Sequence, residues 1–143
     1  MSIDEPDLVP ELLVDDIGRS IGFWCGPCGF RVRYARPEEG FAYLVRGGAH
    51  VMLDQAGLGR DWIAAPLERP FGRGINLQLR VVDVEPIAAA LAERGAALFS
   101  PLETRWYRVD DQDAGVRQFV VADPDGYLLR FQSSLGRRPH RPD

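Results

Sequence analysis

An internal repeat constrains the fold of this chain more than any other feature of its sequence. The segment LVDDIGRSIGFW, which starts at Leu13, aligns with RVVDVEPIAAAL, which starts at Arg80. A second pair, YLVRGGAHVMLDQ from Tyr43 and FVVADPDGYLLRFQ from Phe119, aligns when one inserted residue is allowed. Duplication of this kind predicts a pseudo-symmetric fold that is built from two similar modules.

Each half of the chain shows the same order of elements, namely strand, helix, strand, strand and strand. In the first half, hydrophobic spacing predicts a helix at 17–24 and strands at 8–14, 30–34, 41–45 and 50–54. In the second half, it predicts a helix at 86–94 and strands at 75–81, 97–99, 117–121 and 127–132. Asp16 and Asp83 are the expected helix caps, and Gly95 is the expected end of the second helix.

The predicted fold class is therefore α+β, with two βαβββ modules that form a curled mixed sheet around a cleft. The 143 residues, of which 45% are hydrophobic and 27% charged, are typical of a single soluble domain. We place the first module at 8–56, a connector rich in Gly and Pro at 57–73, and the second module at 74–134. The Arg- and Pro-rich segment 135–143 is expected to be a disordered tail.

Charge and hydropathy narrow the range of partners and locations. The formal net charge is −4 and the acidic residues are dispersed, which argues against a nucleic-acid partner. The opening stretch MSIDEPD has no apolar run of the kind found in signal peptides. No run approaches the ~18 apolar residues that would span a membrane. We therefore expect a cytoplasmic protein with neither a membrane nor a nucleic-acid partner.

The pentapeptide Trp24-Cys25-Gly26-Pro27-Cys28 looks like the active-site motif of thioredoxins, so a thiol oxidoreductase is one alternative function. A nucleophilic cysteine of that type lies at the N-terminus of a helix, where the helix dipole favours the thiolate. Here the predicted helix precedes the motif, and both cysteines fall at its C-terminal end. We therefore interpret the motif as the end of the first helix.

Three stretches resemble the vicinal oxygen chelate superfamily, which includes glyoxalase I, extradiol dioxygenases and the bleomycin-resistance proteins. They are VDDIGRSIGFW, the pair Gly29-Phe30, and the hairpin RQFVVADPDGYLLRF, and the resemblance extends from about residue 8 to residue 133. The Asp-Pro-Asp-Gly turn between two strands near the C-terminus is the most specific of the three. The resemblance implies the same fold of paired βαβββ modules.

The resemblance also implies where a metal would be bound, because enzymes of the superfamily hold a divalent ion with four side chains. The corresponding positions here are Val9, Met52, Asn76 and Arg130. Valine and methionine are unsuited to a hard metal ion, and the fixed positive charge of arginine repels one. The resemblance therefore implies a protein with no metal, no other cofactor and no catalytic residues.

A chain without these ligands resembles the bleomycin-resistance branch, whose members are homodimers that sequester a cationic glycopeptide. We accordingly expect a homodimer that binds a small molecule such as an antibiotic, with a cationic glycopeptide as one candidate. The alternative is a metal-dependent lyase or dioxygenase of the same superfamily, which would need other ligands such as His50 or Glu11.

In the first module, two alternating sets of side chains are candidates for the ligand site. Phe41 and Tyr43 share one face of a strand and either stack on a planar ligand or belong to the core. His50, Met52 and Asp54 also share a face, and Met52 is at a position that corresponds to a metal ligand of the superfamily. That face is therefore expected to line the cleft and to recognise the ligand.

In the second module, Asn76 and Gln78 place polar side chains on one face of a strand, which suits either a wet cleft or an exposed sheet face. Arg130 lies in the middle of a strand and needs a partner. That partner is either the ligand or a carboxylate, for which Asp54 and Glu103 are candidates.

Trp62 and Trp106 are predicted to lie in loops, where exposed tryptophan side chains often bind ligands or form dimer interfaces. Packing over an end of the sheet is the alternative for both. The resembled family often carries a tryptophan just before the last hairpin, where this chain has Gly115 or Val116, and Trp106 could fill that space.

Overall fold

The computed structural model describes residues 5–59 and 61–142, which form two compact units. The first unit extends to Phe71 and also contains Asp123–Gly126, and the second contains Gly72–Ala122 and the chain from Tyr127 onward. In the described residues the first unit has strands β1 (Glu11–Val14), β2 (Arg31–Arg36), β3 (Phe41–Arg46) and β4 (Ala49–Gln55), helix α1 (Ile17–Cys25) and a 3-10 turn (Pro37–Glu39). The second unit has strands β5 (Asn76–Arg80), β6 (Leu98–Val109), β7 (Gln112–Ala122) and β8 (Leu128–Pro139), and helix α2 (Glu85–Glu93).

The two units repeat one topology. The strand orders are β1-β4-β3-β2 and β5-β8-β7-β6, and in each sheet the first strand pairs in parallel with the last while the other pairs are antiparallel. This arrangement confirms the α+β class and the two βαβββ modules that the internal repeat predicts. Neither helix in the described ranges is long and apolar enough to cross a membrane.

Helix α1 covers one face of the first sheet. It begins after Asp16, whose carboxylate accepts a hydrogen bond from the backbone N–H of Arg19 at 3.1 Å, as the sequence predicts. Its buried face carries Ser20, Phe23 and Trp24. Because β-strand side chains alternate, this packing leaves the opposite face of the sheet available for a site.

The second sheet is longer than the sequence predicts. Strand β6 runs from Leu98 to Val109 rather than ending near Phe99, so Trp106 lies in a strand and not in a loop. Strand β8 continues to Pro139, and residues 136–139 pair with β7, so residues 135–139 do not belong to a disordered tail. Hydrophobic spacing missed these extensions because most side chains from 103 to 109 and from 134 to 139 are polar or partly exposed, which hides the period of two.

The Asp-Pro-Asp-Gly turn belongs to the first unit, although its sequence lies in the second module. The indole Nε1 of Trp24 donates to the carboxylate of Asp123 at 3.2 Å. Gly126 has φ 92°, and a Cβ at this position would come within 2.4 Å of the Pro70 side chain. This close approach explains why the turn ends in glycine.

Asp125 is the centre of this arrangement, because its carboxylate is completely buried. It accepts hydrogen bonds from the backbone N–H of Asp15 at 3.2 Å and from the hydroxyl of Ser20 at 3.3 Å. It also forms an ion pair with Arg69, whose Nη2 lies 3.1 Å from Oδ1. A buried charge is tolerated only when it is paired and hydrogen-bonded in this way.

Replacing Asp125 should therefore destabilise the protein far more than replacing an exposed aspartate. We expect Asp125→Ala to lower the free energy of unfolding by about 1–3 kcal/mol, because it removes the buried acceptor of the Asp15 N–H and the Ser20 hydroxyl and one of the partners of Arg69. The matched control Asp111→Ala, in the exposed turn between β6 and β7, should change it by less than about 0.5 kcal/mol. Urea denaturation measures both, and equal midpoints would contradict the assignment.

Candidate functional site

A cleft of about 420 Å³ opens on the face of the first sheet that α1 does not cover. Its lining combines acidic, aromatic and aliphatic side chains with one arginine. The lining residues are Glu11, Arg36, Glu39, Phe41, Asp54, Leu58, Gly59 and Trp62.

Strand register explains why residues from distant parts of the sequence meet here. Phe41 of β3 lies opposite Asp54 of β4 on one side and opposite Arg36 of β2 on the other. Leu13 of β1 also lies opposite Asp54, and Glu11 is two residues from it on the same strand. Side chains that face each other across strands, or lie two residues apart, point to the same face. The cleft is thus a direct consequence of the sheet order.

The aromatic wall of the cleft is covered by a cation from its own chain. The guanidinium carbon of Arg36 lies 4.0 Å from the centroid of the Phe41 ring. Arg36 also forms an ion pair and a short hydrogen bond with Glu39, three residues further along the chain. Tyr34 packs beside Phe41, with ring centroids 5.9 Å apart. A positive charge above an aromatic face is favourable, so the wall is suited to holding cations.

A pair of carboxyl groups forms the acidic side of the cleft. Loss of solvent raises the pKa of Glu11 above its usual value, and the nearby charge of Asp54 and a hydrogen bond to it raise that pKa further. Loss of solvent also raises the pKa of Asp54, while the Glu11 hydrogen bond and the charge of Arg36 oppose this increase. The arrangement fits a proton held on Glu11 and donated to Asp54.

Tyr43, His50 and Met52 lie further along the same face but outside the lining of the cleft. The Tyr43 side chain is only 3% exposed, and its hydroxyl lies 2.7 Å from Nδ1 of His50. Burial raises the pKa of Tyr43. Phe41, Tyr43 and Val45 form one apolar cluster against which Met52 packs. For Tyr43 the structure thus favours the core alternative, whereas Phe41 belongs both to the core and to the cleft.

The candidates in the second unit form a separate polar surface. Asn76 and Gln78 are exposed on β5, and Gln78 lies opposite Arg130 of β8. The Nη2 of Arg130 donates to Oε1 of Gln78 at 3.0 Å. Glu103, one of the two carboxylates considered for Arg130, instead accepts from the side chain of Gln118 at 2.9 Å.

The two candidate tryptophans differ in their surroundings. Trp62 lines the cleft and is 73% exposed, so most of its ring can still be covered by a ligand. Trp106 lies opposite Gly115, where a Cβ would come within 2.6 Å of the indole ring. The guanidinium of Arg138 lies over Trp106, with Cζ 3.8 Å from the ring centroid. The expectation that Trp106 fills the space above Gly115 is confirmed.

Sequence reasoning missed three of the polar residues that define the cleft. The sequence indicates Glu11 only as an alternative metal ligand. It does not single out Arg36 or Glu39, because the first borders a predicted turn and the second lies within it. The sequence does contain one indication of this site, namely a basic and an acidic residue spaced three apart and followed by Gly40. It is weak because such pairs are common on protein surfaces.

The residues at the superfamily's metal positions do not fit a metal ion. Val9 and Met52 pack against the apolar cluster of Phe41, Tyr43 and Val45. Within the described ranges, no group of three or more His, Cys, Asp or Glu side chains could hold a metal. Three good ligands are the usual minimum for a catalytic metal site.

The Cys-Gly-Pro-Cys motif lies at the end of α1, as the sequence predicts. Cys25 is the last residue of the helix, and Cys28 is fully buried. Burial raises the pKa of the Cys25 thiol, which disfavours the thiolate. The motif therefore lacks the environment of a nucleophilic cysteine.

Comparison with known proteins gives consistent matches over most of the chain. The family model for the Glyoxalase/Bleomycin resistance protein/Dioxygenase superfamily matches residues 8–131. The bleomycin resistance protein of Geobacillus stearothermophilus is 27% identical over 134 residues, which cover 86% of this chain and 92% of the relative. The protein of the same name from Staphylococcus aureus gives the same values.

Solved structures support the same fold. TioX from Micromonospora sp. ML1 matches with a TM-score of 0.67 and 25% identity, over 92% of this chain and all of TioX (100%). A glyoxalase-related enzyme from Fulvimarina pelagi matches with a TM-score of 0.61 and 18% identity, over 90% of this chain and 88% of that chain. The second likeness concerns the fold alone.

The carboxyl pair predicts a specific titration behaviour. Asp54→Asn should lower the pKa of Glu11, because it removes the adjacent negative charge. Carbon-13 NMR of the glutamate side chains measures this pKa, with Glu93→Gln, in α2 of the second unit, as a control that should leave it unchanged. An unaltered Glu11 titration in Asp54→Asn would show that the two groups do not interact.

The same pair predicts how stability depends on pH. A folded-state pKa that is raised stabilises the protein fully below the unfolded pKa, and this contribution is lost as the pH rises through the folded pKa. Glu11→Gln keeps a hydrogen-bond donor but cannot ionise, so it should flatten the loss of stability between those two pKa values. Urea midpoints measured across that range test the prediction, and an unchanged slope would contradict it.

Proposed function

Because the chain belongs to the glyoxalase/bleomycin resistance protein/dioxygenase superfamily, we propose that it binds a cationic small molecule and sequesters it without metal catalysis. The binding site is the cleft of the first unit. The observation that carries the proposal is the juxtaposition of carboxyl groups with an aromatic wall in a cavity of about 420 Å³. Cavities of this size are typical of sites for small molecules.

The charges of the cleft favour a cation. Glu11, Glu39 and Asp54 contribute three carboxyl groups to the lining, and Arg36 contributes one positive charge. Even when Glu11 and Asp54 share a proton, the lining retains a net negative charge. A concave site of one sign concentrates ligands of the opposite sign and accelerates their association.

The aromatic side chains supply the affinity that charge alone does not give. Phe41, which is buried, and Trp62, which is largely exposed, both line the cleft. Covering a tryptophan removes a large apolar surface from water, and such residues are frequent anchors in binding sites. A ligand that combines a flat ring system with a positive charge would use both features.

Sequestration rather than conversion agrees with the side chains available. Of the four metal positions of the superfamily, two carry apolar residues and one carries arginine, which leaves Asn76 as the single side chain with a suitable oxygen. The two cysteines lack the environment for thiol chemistry. The curated relatives are named bleomycin resistance proteins, which makes bleomycin the first ligand to test. The alternative of a metal-dependent lyase or dioxygenase has no support from the described side chains.

The other candidate residues do not line the cleft of the first unit. Met52 and Tyr43 pack in one apolar cluster with Phe41, and His50 lies within hydrogen-bond distance of Tyr43. Asn76, Gln78 and Arg130 remain predicted ligand contacts of the second unit, whereas the packing of Trp106 against Gly115 and Arg138 supports a structural role. A homodimer and a cytoplasmic location remain predictions from the sequence, and light scattering of the purified protein tests the first.

Fluorescence titration with bleomycin tests the proposed function. We expect quenching that comes mainly from Trp62, so Trp62→Phe should remove most of the signal while binding persists in calorimetry. Trp106→Phe, in the second unit, is the matched control and should retain most of the quenching. Asp54→Asn should weaken binding about fivefold, which corresponds to about 1 kcal/mol. Failure to bind bleomycin at micromolar concentration would reject this antibiotic as the ligand.

Affinity for a cationic ligand should also depend on pH in a defined direction. Protonation of the Glu11–Asp54 pair removes a negative charge from the cleft, so protons compete with the ligand cation. Binding should therefore tighten as the pH rises through the raised pKa of the pair. Calorimetry in two buffers of different ionisation enthalpy would detect the released proton. Affinity that falls over the same interval would contradict a cationic ligand.

A further inference from the structure

We infer that Arg36 occupies the place of the ligand's cation, so that the natural ligand carries a planar guanidinium- or amidinium-like group that displaces Arg36. This inference rests on the proposed function and specifies the chemical class of the ligand. It is carried by the contacts of Arg36 itself, which coincide with the groups that a bound cation would use.

Arg36 interacts with one aromatic ring and with all three carboxyl groups that line the cleft. Its guanidinium lies over Phe41 with Cζ 4.0 Å from the ring centroid, and it forms an ion pair with Glu39. Its charge also lowers the pKa of both Glu11 and Asp54, against the larger effect of burial. A ligand cation in this cleft would need the same ring and the same carboxylates. The two cations therefore compete for one place.

The planar guanidinium of Arg36 indicates the shape of the ligand cation that would take its place. The 4.0 Å between Cζ and the ring centroid places the guanidinium in van der Waals contact with the Phe41 ring. A planar guanidinium can cover a ring in this way while its N–H groups reach a carboxylate, as the Nε of Arg36 reaches Glu39. A compact ammonium or a quaternary ammonium has no such plane. The site thus favours planar, delocalised cations.

Arg36 can leave this position without disturbing the fold. It is the last residue of β2, which is the edge strand of the sheet, and the 3-10 turn follows it. The side chains of Arg36 and Glu39 are 46% and 55% exposed. An exposed ion pair contributes little to stability, and a long arginine side chain can extend into water from a fixed backbone.

A displaced cation lowers the apparent affinity for the ligand. If the cleft accepts the ligand only when Arg36 has moved away, the apparent dissociation constant is the intrinsic constant divided by the open fraction. Removing the guanidinium should therefore tighten the binding of a planar cation. This outcome separates competition from direct contact, because a residue that contacts the ligand favourably weakens binding when it is removed.

Isothermal calorimetry with benzamidine, a planar cation, and benzamide, its neutral counterpart, tests the inference at neutral pH. Arg36→Gln should bind benzamidine about fivefold more tightly than the wild type, the gain expected from one exposed cation–π contact. Arg31→Gln removes the same charge from the same strand outside the cleft and should change the affinity by less than about twofold. Benzamide should bind neither variant measurably better than the wild type.

Two further measurements test whether the cation must be planar. Arg36→Lys keeps the charge but loses the plane, so it should bind benzamidine more tightly than the wild type and less tightly than Arg36→Gln. Benzyltrimethylammonium carries the same ring with a cation that is not planar, and it should gain less from Arg36→Gln than benzamidine does. An equal gain for both probes would overturn the assignment of a planar cation.

The outcomes separate this inference from the proposed function. If the wild type binds benzamidine and Arg36→Gln binds it equally or more weakly, the displacement of Arg36 is wrong while the cationic site stands. If neither protein binds benzamidine, and bleomycin does not bind either, the proposed function and the inference both fail. The unfolding midpoints of Arg36→Gln and Arg31→Gln should match, which would show that a difference in binding does not come from a difference in stability.

Discussion

The buried carboxylate of Asp125 is the charge around which the first unit is organised. It accepts hydrogen bonds from the backbone at Asp15 and from Ser20, and it pairs with Arg69. These contacts join the start of α1, the end of the first half of the chain and a turn from the second half. The position of α1 against the sheet follows from them, and with it the choice of which sheet face is left open for the cleft. A charge buried at this depth needs all of its partners, which makes the arrangement cooperative.

The repeat and the turn were enough to predict this fold, because both report local preferences that the tertiary structure keeps. Asp16 caps α1 and Gly126 has a positive φ, as the sequence predicts. The expected cap of α2 was one residue off: Val84 is the N-cap, and the carboxylate of Asp83 instead accepts from the backbone N–H of Glu85. The lengths of β6 and β8 were not predictable in the same way. The outer halves of both strands are stabilised by pairing with β7. This pairing does not require alternating hydrophobic side chains, so it leaves no period of two in the sequence.

The site was predictable only in part for a related reason. Phe41, Asp54 and Trp62 were identified because aromatic and acidic side chains stand out in a strand or a loop, and the structure places all three at the cleft. Glu11 and Arg36 become neighbours of Asp54 and Phe41 only through the pairing of β1 with β4 and of β2 with β3. The pairing of β1 with β4 joins distant parts of the sequence, and the register of β2 with β3 decides which of their side chains share a face, neither of which a single sequence reports.

The carboxyl pair of Glu11 and Asp54 and the guanidinium of Arg36 over Phe41 affect a cationic ligand in the same way. When the Glu11–Asp54 pair is protonated, the proton removes a negative charge that a cationic ligand would otherwise meet, and the guanidinium of Arg36 covers the ring of Phe41. Both occupants can be exchanged, because the proton titrates and the arginine is half exposed. Below the raised pKa of the pair, a cationic ligand must therefore replace both a proton and the guanidinium of Arg36, and spherical cations gain little from the second exchange. The cleft loses affinity by this arrangement and gains discrimination, since its specificity is set by what the ligand displaces as much as by what it touches.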